Sequence, residues 1–416
     1  MHLSTLSAWL DWIGSVHQKE IDLGLDRIQE VAKRLDLLKP DAIVITVGGT
    51  NGKGSVVAGL EAIYLAAGYR VGAFTSPILF THNEEVRVNG TMTDDASFCR
   101  AFEKIESVRA GVSLTPFEYH TLAALIIFAE TDLDVMLLEV GLGGRLDAVN
   151  IIDADAVVIS SIGIDHVDWL GHTREAIAIE KAGIFRRNQL AVCGDEHPPV
   201  TLIHAAREAG AQFYQRGKDF HFAENADGWS WQTENTQYEH LPRNTLLTAN
   251  MASALMVVSL LNQELPFTKD ALCRGLQTVT LPGRIQMMEG PVLEIFDVSH
   301  NPAAANVLAE RLDAMPCCGK TIAVFSMLQD KDIAGTLAVM KGKMDEWHVG
   351  VLDCKRTASL ETLKHHCEEA MLENVHFHVS IPAAYQAAGE RAKPGDRIII
   401  FGSFYTVAEI MRIRPH

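Results

Sequence analysis

Short apolar runs alternate with stretches whose hydrophobic residues recur every three to four positions, along almost the whole chain. Residues 42–47, 70–74, 134–140, 156–162 and 190–193 have the length and the Val, Ile and Leu content of buried strands. Helical periodicity covers 54–67, 94–109, 117–130 and 173–183, and the residues ahead of the first strand also read as helices. Such alternation predicts a mostly parallel sheet with helices on both faces, whose ligands bind at the carboxyl ends of the strands. A polar, tryptophan-containing stretch over 220–237 breaks the rhythm and reads as a small β excursion, followed by a helix over 244–261. A second alternation then places strands at 292–296, 320–325, 347–352, 375–378 and 397–401, with helices from 302, 331, 360 and 383 and one at the end. Proline and glycine punctuate the chain at 281–284. The expectation is an α/β protein: a P-loop-type, mostly parallel sheet domain over 1–282 and a smaller α/β domain over 283–416.

Composition narrows the function classes. The 416 residues are 48% hydrophobic and 21% charged, with a net charge of −17. That balance argues against nucleic acid and against an anionic membrane as partners, though not against a small anionic ligand held by a few local donors. The first 14 residues carry no basic leader and no apolar run reaches membrane-spanning length. Seven scattered cysteines without a C-x-x-C pair read as small buried hydrophobes in a reducing cytoplasm.

Candidate chemistry sits where the strands end. The first strand runs into Gly48-Gly49-Thr50-Asn51-Gly52-Lys53-Gly54-Ser55 and then a helix. Strand, glycine-rich turn and helix N-terminus form an anion site, with Lys53 as a mobile positive charge. The Walker A spacing is not met, because Val47 and Gly54 stand where glycine and a hydroxyl residue would be required. A plain βα turn is the alternative. Glu139 ends a second strand, which suits a magnesium ligand and equally a turn cap. His166 and Ser76 follow two further strands. Lys181 lies late on a helix, where a lysine complements the helix dipole. His300 precedes Asn301-Pro302, as a helix cap or as a residue that positions substrate.

Six runs occur in order: residues 49–55, 139–147, 165–171 (Asp-His-Val-Asp-Trp-Leu-Gly), 180–183 (Glu-Lys-Ala-Gly), 281–284 (Leu-Pro-Gly-Arg) and 297–302 (Asp-Val-Ser-His-Asn-Pro). Together they resemble the Mur ligase superfamily and, within it, the bacterial bifunctional dihydrofolate synthase/folylpolyglutamate synthase family. The resemblance extends from residue 21 to residue 404. It implies an ATP-dependent amide ligase that joins L-glutamate to dihydropteroate, or to the tail of a folate derivative, through an acyl phosphate. It also implies a cytoplasmic monomer. Carried over by motif, Thr50, Asn51, Gly52 and Lys53 hold the ATP phosphates, with Gly54 and Ser55 at the helix start. Ser76, Glu139 and His166 carry magnesium. Lys181 matches a carbamylated lysine that helps to hold a second magnesium. Asn250, Arg284 and Asp297 meet ATP, the last two from the linker and the smaller domain, which also serves the glutamate. Asp22, Leu23, Gly24, Thr115, Pro116, Phe117, Glu118, Leu146, Asp147 and Ala148 match the pterin pocket. Pro116 replaces a tyrosine of the family pattern, and Gln329 and Tyr405 replace histidines.

Two other functions compete. A peptidoglycan-precursor ligase of the same superfamily would carry a nucleotide-sugar domain before the phosphate loop, where this chain has about 47 residues. A nucleotide-dependent switch would hydrolyse ATP slowly without any acceptor.

Overall fold

The computed structural model describes residues 3–19 and 21–414. It divides into two compact units, Met1–Thr280 and Leu281–His416. The division falls two residues before the Pro282–Gly283 break that the sequence marks.

The first unit is built on eight strands: β1 (Ile43–Gly48), β2 (Val71–Phe74), β3 (Val86–Val88), β4 (Thr91–Met92), β5 (Val135–Glu139), β6 (Ala156–Ile159), β7 (Leu190–Cys193) and β8 (Gln212–Gln215). Their order across the sheet is β4-β3-β2-β5-β1-β6-β7-β8. All pairs are parallel except those made by β3. β1, β2 and β5 are fully or almost fully buried along their length, as strands covered on both faces must be. Helices Lys53–Ala66, Pro116–Ala129 and Thr248–Leu260 are apolar nearly all round and lie in this core. The excursion expected near 220–237 is an antiparallel three-stranded sheet of β9 (His221–Asn225), β10 (Gly228–Gln232) and β11 (Gln237–Leu241). Trp229 and Trp231 are buried beneath it.

The second unit holds β12 (Gln286–Met288), β13 (Leu293–Asp297), β14 (Thr321–Phe325), β15 (Glu346–Val349), β16 (Val375–Phe377) and β17 (Arg397–Phe401), in the order β12-β13-β17-β14-β15-β16. Only the β12–β13 pair is antiparallel.

No helix among the described residues is long and apolar enough to cross a membrane. The seven cysteines are unpaired, but only Cys193 and Cys367 are buried, so the expectation of seven core thiols holds for two.

Candidate active site

The sheet order brings four candidate groups to one edge. β2, β5, β1 and β6 are neighbours in that sequence, all parallel. Their carboxyl ends deliver Ser76, Glu139, the glycine-rich turn and the 160–166 segment side by side. Val47 pairs with Glu139 across β1 and β5, and Gly48 with Ile159 across β1 and β6.

The turn itself is braced from β6. Thr50 donates its N–H to Ser161 O at 2.8 Å, and Asn51 donates to Ser161 Oγ at 3.1 Å. Ser160 Oγ and Ser161 Oγ both donate to Asn51 O, at 2.7 and 3.0 Å. Thr50 Oγ1 donates to Gly163 O at 3.1 Å and accepts from Gly163 N at 2.9 Å. These bonds commit the Thr50 and Asn51 amides to holding the turn's shape. The amides left for an anion are those of the helix that begins at Lys53, whose first turn has no intrahelical acceptors. Gly52 caps that helix at φ +88°, and a Cβ there would lie 2.6 Å from Asn250 Oδ1. Only glycine lets Asn250 approach so closely, which puts the buried start of helix Thr248–Leu260 against the loop.

Two ammonium groups converge on the same carbonyl. Lys53 Nζ lies 3.3 Å from both Gly49 O and Thr50 O, and Lys181 Nζ lies 2.8 Å from Gly49 O. Lys181, which the sequence places late on a helix, is buried, at 4% exposure. Its helix ends against the 141–147 loop. Arg145 N donates to Glu180 O at 2.8 Å, and Asn150 Nδ2 bridges Arg145 O and Gly183 O. Burial, reinforced by the Lys53 cation, pushes the Lys181 amine down to about 7 from 10.5, against the pull of Asp165 and Asp147.

Glu139, 3% exposed, accepts the Ser76 N–H on Oε2 at 3.2 Å. His166 sits at φ +51° ahead of the short helix Val167–Leu170, its N–H held by its neighbour Asp165 at 2.8 Å. A hydroxyl, a carboxylate and one imidazole form a mainly hard donor set, which suits magnesium or manganese.

Two of the segments expected on the pterin side, 22–24 and 115–118, meet through a residue the sequence did not single out. Arg27 donates to Asp22 Oδ2 at 2.9 Å and to Glu118 at 3.3–3.4 Å. Glu118 also closes a capping box with Thr115 at the start of helix Pro116–Ala129, where Pro116 takes a position that favours proline. Phe117 packs on Phe74 and lies where a Cβ on Gly141 would fall, at 2.6 Å. Asp147 is buried and accepts from Leu142 N at 2.7 Å and Val149 N at 3.1 Å. Burial pushes its carboxyl up to about 6 despite these donors. Asp147 therefore shapes the loop that presents Leu146 and Ala148. Leu23 and Gly24 are half-buried.

Within the second unit, Asp297 Oδ2 accepts from Ile285 N, and its Oδ1 from Ser299 N, both at 2.9 Å. This fastens the 283–285 turn to the end of β13. The Arg284 guanidinium stacks on Phe404 at 4.9 Å. The His300 ring lies 5.8 Å from the same Phe404, with Nδ1 at 2.9 Å from Val298 O. Asn301, not His300, caps helix Pro302–Asp313.

The Mur ligase middle domain is matched over residues 47–248, and the Mur ligase glutamate ligase domain over 283–404. The dihydrofolate synthase/folylpolyglutamate synthase of Escherichia coli (strain K12) is 43% identical over 410 residues, covering 99% of this chain and 96% of that protein. The enzyme of the same description from Haemophilus influenzae is 42% identical over 436 residues, covering 99% and 98%. The structure of E. coli FolC in complex with DHPP and ADP superposes with a TM-score of 0.95 at 43% identity, covering 99% of this chain and 97% of that one. A bifunctional folylpolyglutamate synthase/dihydrofolate synthase with Mn, AMPPNP and L-glutamate bound gives 0.92 at 44% identity, covering 98% of each.

Proposed function

The chain belongs to the Mur ligase family, in its dihydrofolate synthase/folylpolyglutamate synthase branch, and from that premise we propose how its residues carry out ATP-dependent ligation. It is an amide ligase that adds L-glutamate to dihydropteroate and to the glutamate tail of tetrahydrofolate. The observation that carries the residue assignment is the convergence of Lys53 and Lys181 on Gly49 O, beside the buried Glu139.

A carboxylate cannot expel oxide. Transfer of the ATP γ-phosphoryl to a carboxylate oxygen gives an acyl phosphate and ADP. The glutamate amine then attacks the carbonyl carbon, and the C–O bond to phosphate breaks as the amide forms. The first step crowds anionic oxygens together, so electrostatics and positioning supply most of the acceleration. The helix N-terminus at Lys53 and the Lys53 ammonium hold the β- and γ-phosphates. Ser76, Glu139 and His166 would hold magnesium, which would neutralise charge during phosphoryl transfer. Asn250, Arg284 and Asp297 are assigned to the nucleotide. The 22–24, 115–118 and 146–148 segments are assigned to the pterin, and His300 to positioning.

Lys181 is assigned as a carbamate. A buried amine brought down to about 7 is substantially neutral at physiological pH, so its nitrogen can add to carbon dioxide with loss of one proton. The product would be an anion, a group able to help hold a second magnesium. We also place the protein in the cytoplasm as a monomer, a location supported by its unpaired cysteines.

The test is ADP formation with ATP, magnesium and glutamate, comparing dihydropteroate with tetrahydrofolate. Release that requires both acceptor and glutamate supports the ligase. Slow release indifferent to them supports a nucleotide switch instead.

A further inference from the structure

We propose that His82, Glu85 and His120 form a binding site for a zinc-class divalent ion, separate from the magnesium ligands. The three residues come from two distant elements, the short helix His82–Glu85 and helix Pro116–Ala129. Glu85 Oε2 lies 3.2 Å from His82 Nδ1 and 3.2 Å from His120 Nδ1, and the three ligand atoms all fall within 4.8 Å of one another. Zinc bonds of 2.0–2.1 Å at tetrahedral angles place neighbouring ligand atoms about 3.3–3.4 Å apart, so the two short edges already match.

Glu85 and His120 are buried, His82 is half-buried, and the cluster is under-satisfied. Glu85 is 5% exposed, yet its Oε2 has no aligned hydrogen bond, and neither has His82 Nδ1. Phe98 and Phe102 wall the rings at 6.4 and 6.3 Å, which raises the cost of an uncompensated carboxylate. The nearby Arg87 is committed to Glu61 and Thr75. Burial alone would raise the Glu85 carboxyl, but the His120 and His82 rings outweigh it and bring it down to about 2. Glu85 is thus an anion facing two imidazoles, the donor set that late first-row metals prefer. Three protein ligands leave a fourth position for water. The other His/Glu group, at Glu346, His348 and His376, differs: Arg391 and Lys320 already occupy its carboxylate.

Such an ion would clip the loop that follows Ser76 to the helix that begins at Thr115–Glu118. Thr75 N donates to Glu85 O at 2.9 Å, so the clip also reaches the end of β2.

The full-length protein, stripped with chelator, is titrated with Zn2+ in excess Mg2+, and bound zinc is measured after gel filtration. One tight equivalent is expected, and Co2+ in its place should give the strong visible absorption of a four-coordinate site. His82→Asn and His120→Gln, each checked by circular dichroism, should weaken that equivalent by more than about 100-fold, since losing even an outer-shell partner costs 10–100-fold. His376→Gln should retain it. Absence of tight zinc in the wild type, or an equivalent that both cluster variants keep, overturns the proposal. If a variant fails to fold, the wild-type cobalt spectrum decides, and a weak six-coordinate spectrum overturns it.

Discussion

Lys181 Nζ lies 2.8 Å from Gly49 O, joining the end of helix Arg174–Ala182 to the first turn after β1 across 132 positions of sequence. A second ammonium, Lys53, reaches the same oxygen at 3.3 Å. Two cations on one carbonyl repel each other, and that repulsion is relieved by phosphate, by carbamylation or by loss of a proton.

Lys53→Ala should lower kcat/KM by about 10²–10³-fold, the scale of losing one preorganised charge contact. Its melting temperature should stay near wild type, because the hydrogen bonds of Lys53 Nζ go to carbonyls of its own loop, Gly49 O and Thr50 O. ADP release together with a thermal melt checks both halves. Near wild-type ligation would remove Lys53 from the phosphate assignment.

Lys181→Ala should slow turnover, and added formate or acetate should restore part of it by supplying the missing anion. Intact-protein mass at high bicarbonate should show one extra carbon dioxide in the wild type alone. An unmodified Lys181 in a fully active enzyme would reject the carbamate.

Stability should respond to pH in two windows of opposite sign. Without carbon dioxide, the folded state releases the Lys181 proton above about 7, whereas the unfolded chain keeps it to 10.5. The unfolded state binds more protons between those values, so stability rises with pH there. Asp147, raised from 3.8 to about 6, reverses the inequality, so its contribution falls as pH climbs through that lower interval. Urea melts of wild type and Lys181→Met across both windows test this. The variant should lose only the upper slope and gain most at or below pH 7.

Arg27→Met should strip Glu118, a carboxylate 3% exposed, of its cationic partner and release the Asp22 turn. A cost of about 1–3 kcal/mol in stability is expected. The KM for dihydropteroate should rise more than kcat falls. A change confined to the KM for ATP would separate Arg27 from the pterin side.

Gly52→Ala should abolish nucleotide binding while the sheet still forms. Alanine must take φ +88° and place its Cβ 2.6 Å from Asn250 Oδ1. Nucleotide titration by calorimetry reads the loss.

Local pattern revealed the strands because residues such as Val135–Glu139 are apolar on both faces. The phosphate turn was legible as strand, glycines and helix even though the Walker A spacing is broken. Strands β3 and β4, only three and two residues long, carry too little periodicity to register. The pattern likewise does not mark helix Lys269–Thr278, despite its Thr268 cap. The burial of Lys181 comes from a loop 35 positions earlier docking on its helix, which no local window contains. Arg27 reads as one charge among several on a polar helix, and its partner Glu118 lies 91 positions away. The brace from Ser160 and Ser161 was visible as a serine pair at a strand end, a signal without a fixed meaning until the strand beside it is known.

Because side chains alternate along a strand, sliding β5 by a single position against β1 would turn Glu139 away from Ser76 and leave Val140 opposite Val47 in its place. Metal-dependent nucleotide affinity therefore doubles as a gauge of strand alignment. A refolding chain whose sheet closed one step out of phase would recover its helical content and yet bind no ATP.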